Sequence, residues 1–579
     1  MDTAIHKIAI DFFELLDNGL RGDDLNTELY RDGGPLSEYL KSTTNKFVAV
    51  YQANRLDIPF YKYPLLARLL EFYGVDIGFL YQNPLGAKQI TMSISKTMHS
   101  DFAEDLLRRK PDVSVMIDTA TDVSSISSLA ILLQTYDQDR NVTVKLYRLM
   151  KSPMNEGGQE LFDMFTKSLE EDGLSDYVKE KVIGFASDGG SNVRKFRRLL
   201  TEWSGRDDLY LVHCYAHKLD LVLKHAWSQS PFLKEIDEMV NALHRLFNSK
   251  SHKKKELLHR TAEELGDTKF ELKRVIPTRW VSSKLRAFET VLEHWKTIVK
   301  ATEYVLADKT TKGPQRANAE YVLSQMKDPT LIITTAFITD ACRELSTVTL
   351  LLQGRGTTLI SKKERRTKLK QSLEQLKSVN GKWVQWALDN SKIHILEGLQ
   401  PQVISLEEFE GQTITLDGVE MAHSDQKNPS SLYTERSKYL DDVLEEIAWY
   451  FPEDPTDNLD IFDPMQWTRE NLLNFGNVEL LNANLGLKWR YAPAQVLQDW
   501  IDLKTQIHSN ADFRRLVKKT PEDFWAYFLT DGSGIEWPES MRKVVTNLLV
   551  VPASTAEVNI FSLHFLVLSR FDFHVAVHE

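Results

Sequence analysis

Cysteine is nearly absent from this chain of 579 residues, which contains only Cys214 and Cys342. Two cysteines cannot form the disulfide framework of a small secreted protein or a four-cysteine zinc site, so we expect a reducing compartment and no structural zinc. The sequence also lacks an apolar run near 18 residues, and its first 20 residues have neither the basic start nor the apolar segment of a signal peptide. We therefore expect a soluble intracellular protein without a membrane partner.

The composition is that of a globular protein, with 42% hydrophobic and 26% charged residues, which excludes wholesale disorder. The net charge of -11 conceals a regional imbalance. Residues 244–286 contain twelve Lys and Arg against five Asp and Glu, whereas residues 401–480 contain four basic residues against eighteen acidic ones. Because affinity for phosphate depends on the surface presented and not on the total charge, the sequence is compatible with a nucleic-acid partner.

The order of predicted elements indicates an α/β core. Apolar spacing near 3.6 residues predicts helices over residues 1–110. Three strand-like segments follow between residues 113 and 146, for which an antiparallel meander is the simplest arrangement. Strands and helices then alternate through KVIGFASDGG (181–190) and LYLVHCYAH (209–217). The order β-β-β-α-β-α-β-α is typical of an RNase H-like fold.

A long helical pattern from about residue 228 to 535 follows this core. The predicted fold is therefore an α/β RNase H-like core interrupted by a large all-α insertion, with a helical N-terminal region. We divide the chain into four segments: a helical N-terminal region (1–110), the first part of the core (111–227), the insertion (228–535) and a C-terminal segment (536–579).

Two aspartates follow strand-like segments and are candidates for a metal site. Asp118 is predicted at the carboxyl end of the first strand and Asp188 at the end of the fourth, which would be neighbours in an RNase H-like sheet. Paired carboxylates suit Mg²⁺ or Mn²⁺ and in-line phosphoryl transfer. The alternative is that Asp118 merely ends a strand and that Asp188 supplies turn chemistry in SDGG. Asp122 has at most a supporting role.

The segment HCYAH contains metal-type side chains at C-x-x-H spacing, in Cys214 and His217. A structural zinc ion needs about four ligands, and no second cysteine lies nearby in sequence. Burial of Cys214 as a small apolar residue is the ordinary interpretation.

Arg279 and Trp280 lie in the basic region, which also contains Lys253, Lys254, Lys255 and Lys284. An indole can stack on an unpaired base while neighbouring cations contact phosphates. By pattern alone, a core tryptophan beside a solvated basic surface is favoured over this function. A second basic cluster at 361–370 predicts an exposed helical face.

Six motifs in order resemble those of hAT-superfamily transposases and the host proteins derived from them. They are IDTATDVSS (117–125), FASDGGSNV (185–193), HCYAHKLDL (213–221), LFNSKSHKKKELL (246–258), PTRWVSS (277–283) and PASTAEVNIFS (552–562). The resemblance extends from about residue 60 to 565. It implies a C-terminal segment that completes the core and supports dimerisation, to which the apolar run VVTNLLVV (544–551) contributes.

The resemblance also implies roles for individual residues. Asp118 matches the first catalytic carboxylate of the family and Asp188 the second. Cys214 and His217 match a C-x-x-H element near the active site, and Trp280 matches the aromatic residue that holds a flipped base. These matches favour the functional interpretation of both aspartates.

The third catalytic carboxylate is where this sequence departs from the family. The family pattern resembles S-S-A-E-V-E-R-x-F-S, but here Asn559 stands where the catalytic Glu is expected. Glu557 lies two residues away, about 200° round a helix, so it would not inherit the position. The sequence also lacks a zinc-binding BED-type finger and has a short C-terminal tail, so we expect a decayed or domesticated derivative or an incomplete gene model.

Three functions follow as hypotheses. The first is a nuclear, hAT-derived protein that dimerises and binds nucleic acid with little or no strand transfer. The second is a DNA transposase that cuts DNA with Asp118, Asp188 and Glu557 around Mg²⁺ or Mn²⁺. The third is a protein-interaction scaffold that has also lost DNA binding.

Overall fold

The fold is given by a computed structural model. It describes residues 38–121, 127–136, 142–152, 157–206, 209–248, 252–275, 280–352, 358–360, 362–390, 415–416, 419–421, 429–452, 459, 461–467 and 493–555. The described residues divide into two compact units, one ending at Leu211 and one starting at Val212.

The first unit begins with three helices, α1 (Glu38–Arg55), α2 (Tyr63–Phe72) and α3 (Pro84–Arg109). Helix α3 begins where Asn83 accepts a hydrogen bond from the Gly86 backbone N–H, and it ends at Lys110 in the left-handed conformation. The predicted helical character of the N-terminal region is confirmed for residues 38–109. The apolar positions at the start of the chain lie outside the described residues.

A five-stranded sheet follows, with helices between its later strands. Its elements are β1 (Val113–Thr121), β2 (Ser127–Tyr136), β3 (Val142–Lys151), α4 (Gly158–Glu171), α5 (Ser175–Lys181), β4 (Val182–Ser187), α6 (Ser191–Ser204) and β5 (Tyr210–His213). The strand order is β3-β2-β1-β4-β5, with β1 antiparallel to β2, β2 antiparallel to β3, and β1 parallel to β4. The predicted meander and the α/β core are confirmed.

One face of this sheet carries the apolar core of the first unit. Val113, Val115 and Ile117 alternate along β1 and pack in a cluster with buried side chains of α3, α4 and α6. Phe185 of β4 stacks on Phe196 of α6, with ring centroids 5.3 Å apart. Residues at even positions of β1, Asp118 among them, therefore point to the opposite face of the sheet.

A polar network around Asp172 fastens the N-terminal helices to the sheet. Its carboxylate accepts a hydrogen bond from the Tyr147 hydroxyl at 2.6 Å and from the Arg148 guanidinium at 2.8 Å. The ring of His99 on α3 lies 2.8 Å from the same carboxylate. Because the Asp172 side chain is only 14% exposed, these contacts are shielded from water. Neighbouring Glu171 lies 3.9 Å from Arg148 with its side chain 55% exposed.

The second unit is mostly helical. Its helices are α7 (Tyr215–Gln229), α8 (Pro231–Phe247), α9 (His252–Glu264), α10 (Trp280–Glu293), α11 (Trp295–Ala307), α12 (Pro314–Met326), α13 (Pro329–Leu352), α14 (Lys362–Gln375), α15 (Lys382–Asn390), α16 (Pro429–Tyr450), α17 (Pro493–Ser509), α18 (Phe513–Leu516), α19 (Pro521–Leu529) and α20 (Glu539–Val550). A two-stranded ribbon, β6 (Thr415–Leu416) and β7 (Val419–Glu420), is also present. The predicted helical character of residues 228–535 is confirmed where the structure describes them.

The division between the units falls at 211/212, whereas the sequence suggested a boundary at 227/228. The boundary lies within β5, and helix α7, which follows β5, packs against α13 and α16 and belongs with the helical unit. Residues 539–555 also lie in this unit. The apolar run Val544–Val551 is buried within the single chain, so it presents no apolar surface to a partner, contrary to expectation. None of the described helices could span a lipid bilayer.

The Asp172 network generates the first prediction. Asp172→Ala should lower the free energy of unfolding of the first unit by about 3 kcal/mol, because it leaves the Arg148 guanidinium without its shielded acceptor. Peptide-resolved hydrogen exchange in α4 and β3 measures the change. The matched control Glu171→Ala removes an exposed carboxylate one residue away and should cost less than about 1 kcal/mol. Equal effects of the two variants would contradict this account.

Candidate functional site

The parallel pairing of β1 with β4 brings Asp118 and Asp188 together. The register pairs Val115 with Phe185 and Met116 with Ala186. Continuing it by two residues places Asp118 opposite Asp188, on the sheet face that does not carry the apolar core of the first unit. Asp188 directly follows β4, as predicted. Asp118 does not end its strand, because pairing with β2 extends β1 to Thr121.

The turn after β4 holds Asp188 in place. The Asp188 carboxylate accepts a hydrogen bond from the Gly190 backbone N–H at 3.1 Å. Gly189 has a φ of 84°, a left-handed conformation that a residue with a side chain rarely adopts. Asp188 therefore stabilises the turn through this hydrogen bond and also faces Asp118. Its role in the SDGG turn does not exclude a role beside Asp118.

Asp118 lies in an environment that opposes its charge. Its side chain is buried, and its carboxylate accepts one hydrogen bond, from the Thr119 backbone N–H at 2.9 Å. Burial, together with the nearby charge of Asp188, raises the pKa of the Asp118 carboxyl to about 7. A cation placed between the two carboxylates would relieve both effects.

The chemistry of this pair fits a hard divalent ion. Two carboxylates from adjacent strands supply oxygen ligands of the kind that Mg²⁺ and Mn²⁺ prefer. No cluster of three or more His, Cys, Asp or Glu side chains able to hold a metal occurs in the part of the chain that the structure describes. Within that part, Asp118 and Asp188 could therefore supply only two ligands to such an ion, and the remaining ligands would have to be water, substrate or residues outside it.

Several predicted residues lie outside the described part of the chain. They are Asp122, Arg279, Glu557 and Asn559. Trp280 is the first residue of α10. The assignment of Glu557 as a catalytic residue and of Arg279 and Trp280 as DNA contacts stays a prediction.

Cys214 is enclosed where the C-terminal segment meets α7. Its side chain is 2% exposed, and its sulfur lies 3.3 Å from the Ser554 hydroxyl and accepts a hydrogen bond from the Thr555 backbone N–H. The backbone N–H of Tyr215 donates to the Ala553 carbonyl at 3.2 Å. Cys214 thus anchors residues 553–555 and is not placed to touch a nucleic acid. Its ordinary interpretation as a buried side chain is the one that the structure supports.

His217 lies in a different setting, half-buried beside His213, whose ring centroid is 5.8 Å away. One turn further along α7, the Asp220 carboxylate accepts a hydrogen bond from the Val281 backbone N–H at 3.4 Å. This contact joins the first turn of α10, where Trp280 is found, to the helix that carries His217. Burial raises the pKa of Asp220, partly offset by Val281 and His217.

Sequence reasoning missed Asp220, although HKLD places it on the same face of the helix as His217. An acidic side chain three residues after a histidine in a helix is a neighbour of that histidine. Only the fold shows that Asp220 also binds the first turn of α10, where a carboxylate is favourable.

The three lysines of α9 differ in their surroundings. Lys253 is exposed. Lys254 donates a hydrogen bond to the Gln315 side chain at 3.1 Å, and Lys255 pairs with Glu271 at 2.5 Å. Of the three, Lys253 is therefore the most accessible to a phosphate group.

Some other basic residues are not on the surface as expected. Lys284 is fully buried, 2.5 Å from the Asp237 carboxylate and 3.7 Å from the centre of the Trp227 ring. The expectation of an exposed face at 361–370 is wrong for the first turn of α14. Lys362 is 4% exposed and lies over the Tyr215 ring, and Arg365 donates to the Leu351 carbonyl at 2.6 Å.

A comparison with models of known protein families finds no match to this chain.

The buried carboxylate generates the second prediction. Because the folded-state pKa of about 7 exceeds the ordinary value of 3.8, the folded chain retains a proton that the unfolded chain has lost between these pH values. Stability should therefore fall as pH rises from about 4 to 7, by on the order of 4 kcal/mol. Asp118→Asn should remove this loss and be more stable than the unmodified chain at pH 8.

Urea unfolding of the first unit at a series of pH values measures this difference. Asp188→Asn removes only the neighbouring charge, so it should reduce the pH dependence without abolishing it. If Asp118→Asn is no more stable than the unmodified chain at pH 8, the ionised Asp118 carboxylate does not destabilise the fold, and the prediction is wrong.

Proposed function

We propose that this chain is a nuclear protein derived from a hAT-type transposase, which binds a divalent cation and nucleic acid, self-associates, and lacks strand-transfer activity. The observation that carries the proposal is the placement of Asp118 opposite Asp188 on parallel neighbouring strands. A buried carboxylate such as Asp118 beside a second carboxylate is unfavourable unless a partner such as a cation compensates for the charge.

The topology of the sheet supports an RNase H-like core. Three antiparallel strands at one edge, followed by a parallel strand beside the first, is the arrangement expected for that fold. The first two carboxylates of its metal site come from the first and fourth strands. Asp118 and Asp188 occupy those positions, in agreement with the resemblance of IDTATDVSS and FASDGGSNV to hAT motifs.

The carboxylate pair would hold Mg²⁺ or Mn²⁺. When bound, such an ion stabilises negative charge on a phosphate group and orients it for in-line attack. The protein's own contribution is to fix Asp188 through Gly190 and to hold Asp118 in a strand buried away from water. Because burial raises the pKa of the Asp118 carboxyl to about 7, a cation would have to displace a proton at lower pH, so its affinity should fall as pH falls.

Nucleic-acid binding is assigned to the second unit. Lys253 on α9 offers an exposed cation, and α10 begins with Trp280 beside the helix that carries His217. Phosphate contacts supply affinity without sequence preference, whereas a tryptophan can stack on an unpaired base.

The absence of strand transfer is proposed from the sequence of the C-terminal motif. Asn559 cannot supply the negative charge that a third carboxylate gives to a metal site. Loss of one ligand weakens metal binding and leaves charge developing on the transferred phosphate less well stabilised.

The third prediction concerns metal binding. Saturating Mn²⁺ should stabilise the first unit at pH 8, by about 2.7 kcal/mol at a concentration one hundred times the dissociation constant. The effect should be smaller at pH 5.5, where Asp118 is protonated. Asp118→Asn and Asp188→Asn should each abolish it, as followed by thermal unfolding with and without the ion.

The matched control is Asp163→Asn, which removes an exposed carboxylate on α4 of the same unit. This variant should respond to Mn²⁺ as the unmodified chain does. No stabilisation of the unmodified chain at pH 8 would remove the metal site from the proposal.

The fourth prediction concerns DNA. In Mn²⁺, the chain should bind double-stranded DNA that carries candidate element ends but should not cleave it. Affinity should fall with added salt, and Lys253→Gln should reduce the slope of log affinity against log salt by about 0.9, the value for one phosphate contact. Lys255→Gln, whose charge is already paired with Glu271, is the matched control and should change the slope less.

Cleavage is followed on denaturing gels, with Asp188→Ala as the comparison. Cleavage by the unmodified chain that disappears in Asp188→Ala would overturn the proposed inactivity and favour an active transposase, with Glu557 tested next. Absence of any salt-dependent binding would favour the interaction scaffold instead.

A further inference from the structure

An exposed apolar surface lies on the N-terminal helices of the first unit. Residues 56–85 carry half of the large apolar side chains that are exposed in the described part of the chain. We define the apolar patch by its nine most exposed members: Leu56, Tyr61, Leu65, Leu69, Phe72, Tyr73, Phe79, Leu80 and Leu85. Their exposed fractions run from 52% at Leu69 to 97% at Phe79. Large exposed apolar surfaces on soluble chains often mark interaction sites.

Helix α2 is apolar on two sides. Tyr63 and Ala67 are buried, and Leu66 and Leu70 pack against the core formed by α1 and α3. Leu65, Leu69 and Phe72 form a second apolar stripe at helical spacing and are exposed. An apolar stripe on a helix usually packs against another element. The outer stripe of α2 therefore has the composition of an interface.

The loop after α2 extends this stripe in a defined conformation. The Tyr73 backbone N–H donates to the Leu69 carbonyl, and the Phe72 and Tyr73 rings pack edge to face with centroids 5.3 Å apart. The Gln82 side chain donates to the Gly78 carbonyl at 2.6 Å and to the carboxylate of Glu71. Phe79 and Leu80, between these anchors, are thereby held close to the end of α2.

The area of the apolar patch is sufficient for a stable dimer. Its four aromatic side chains alone expose roughly 600 Å², given about 150 to 250 Å² for each aromatic side chain. The five leucines add a comparable area. A specific interface of standard size needs about 800 Å² from each partner.

We propose that the apolar patch is the surface through which two copies of this chain associate. The proposal rests on the self-association put forward above and names the surface responsible for it. The apolar run Val544–Val551, which the sequence predicted to contribute to dimerisation, is buried within one chain and therefore does not form the interface. In a two-fold interface the same patch meets itself, and exposed Arg68 and Glu71 on α2 supply opposite charges that can pair between copies.

The test is light scattering after size exclusion, at micromolar concentrations of the full chain. The unmodified chain should have twice its monomer mass of 66.7 kDa. The double variant Leu69→Glu/Phe72→Glu should weaken association at least 100-fold and have the monomer mass. The matched control Trp449→Glu changes an exposed apolar residue of the second unit, 76% exposed, and should leave the dimer intact. Circular dichroism verifies that each variant is folded.

A cysteine scan gives a second measurement that does not require a charged substitution. The native Cys214 and Cys342 are buried, so cross-linking from them under mild oxidation should be negligible. Leu69→Cys or Phe72→Cys should give a disulfide-linked dimer, whereas Trp449→Cys should not.

The outcomes separate the two proposals. A chain that stays monomeric at every concentration overturns both the proposed self-association and this surface. A dimer that survives the double variant, without cross-linking at either cysteine, overturns only the surface. A monomeric chain in which the Phe72→Cys thiol resists alkylation indicates that another part of the same chain covers the patch, which also overturns the proposal.

Discussion

The parallel pairing of β1 with β4 is the constraint on which the candidate site depends. Parallel strands place residues in step, so the register that packs Val115 beside Phe185 in the core also sets Asp118 opposite Asp188. The register therefore determines both which side chains of β1 enter the apolar core of the first unit and which side chain lies opposite Asp188. A slip of one residue would exchange the two sets of side chains and place the Asp118 carboxylate among the apolar side chains of the first unit's core. The burial of that core thus holds the carboxylates in place.

This arrangement has an energetic consequence. The Asp118 carboxylate is buried beside a like charge with one backbone donor, so in the absence of a cation the folded state is stabilised by retaining a proton. Asp172 in the same unit shows the opposite arrangement. It is also shielded, but it accepts hydrogen bonds from Tyr147 and Arg148 and lies beside His99, and the pKa of its carboxyl is lowered. The hydrogen-bonded carboxylate of Asp172 stabilises the fold. The Asp118 carboxylate, by contrast, lacks such partners among the described residues, and its charge would be stabilised by a bound cation.

In the helical unit, the number of basic residues is a poor guide to the basic surface. Lys284 lies inside, paired with Asp237 and covered by Trp227, and Lys255 pairs with Glu271. The apolar residues show the same reversal, since Val544–Val551 are buried within the chain while Leu69, Phe72 and Phe79 are exposed. In both cases the pattern in the sequence is the same for an internal contact and an external one, and packing against distant elements decides between them.

The sequence by itself determined the class and order of the elements, because the alternation of apolar residues in β1 and the 3.6-residue spacing in the helices are local properties. It also identified Asp188 at the end of β4, where a Gly-Gly turn is a local signal. It could not place the end of β1, which pairing with β2 extends beyond Asp118, nor assign Asp220 to the start of α10, 61 residues away. Those features depend on contacts between segments far apart in the chain, so only the tertiary structure decided them, as it decided which cations and apolar side chains face water.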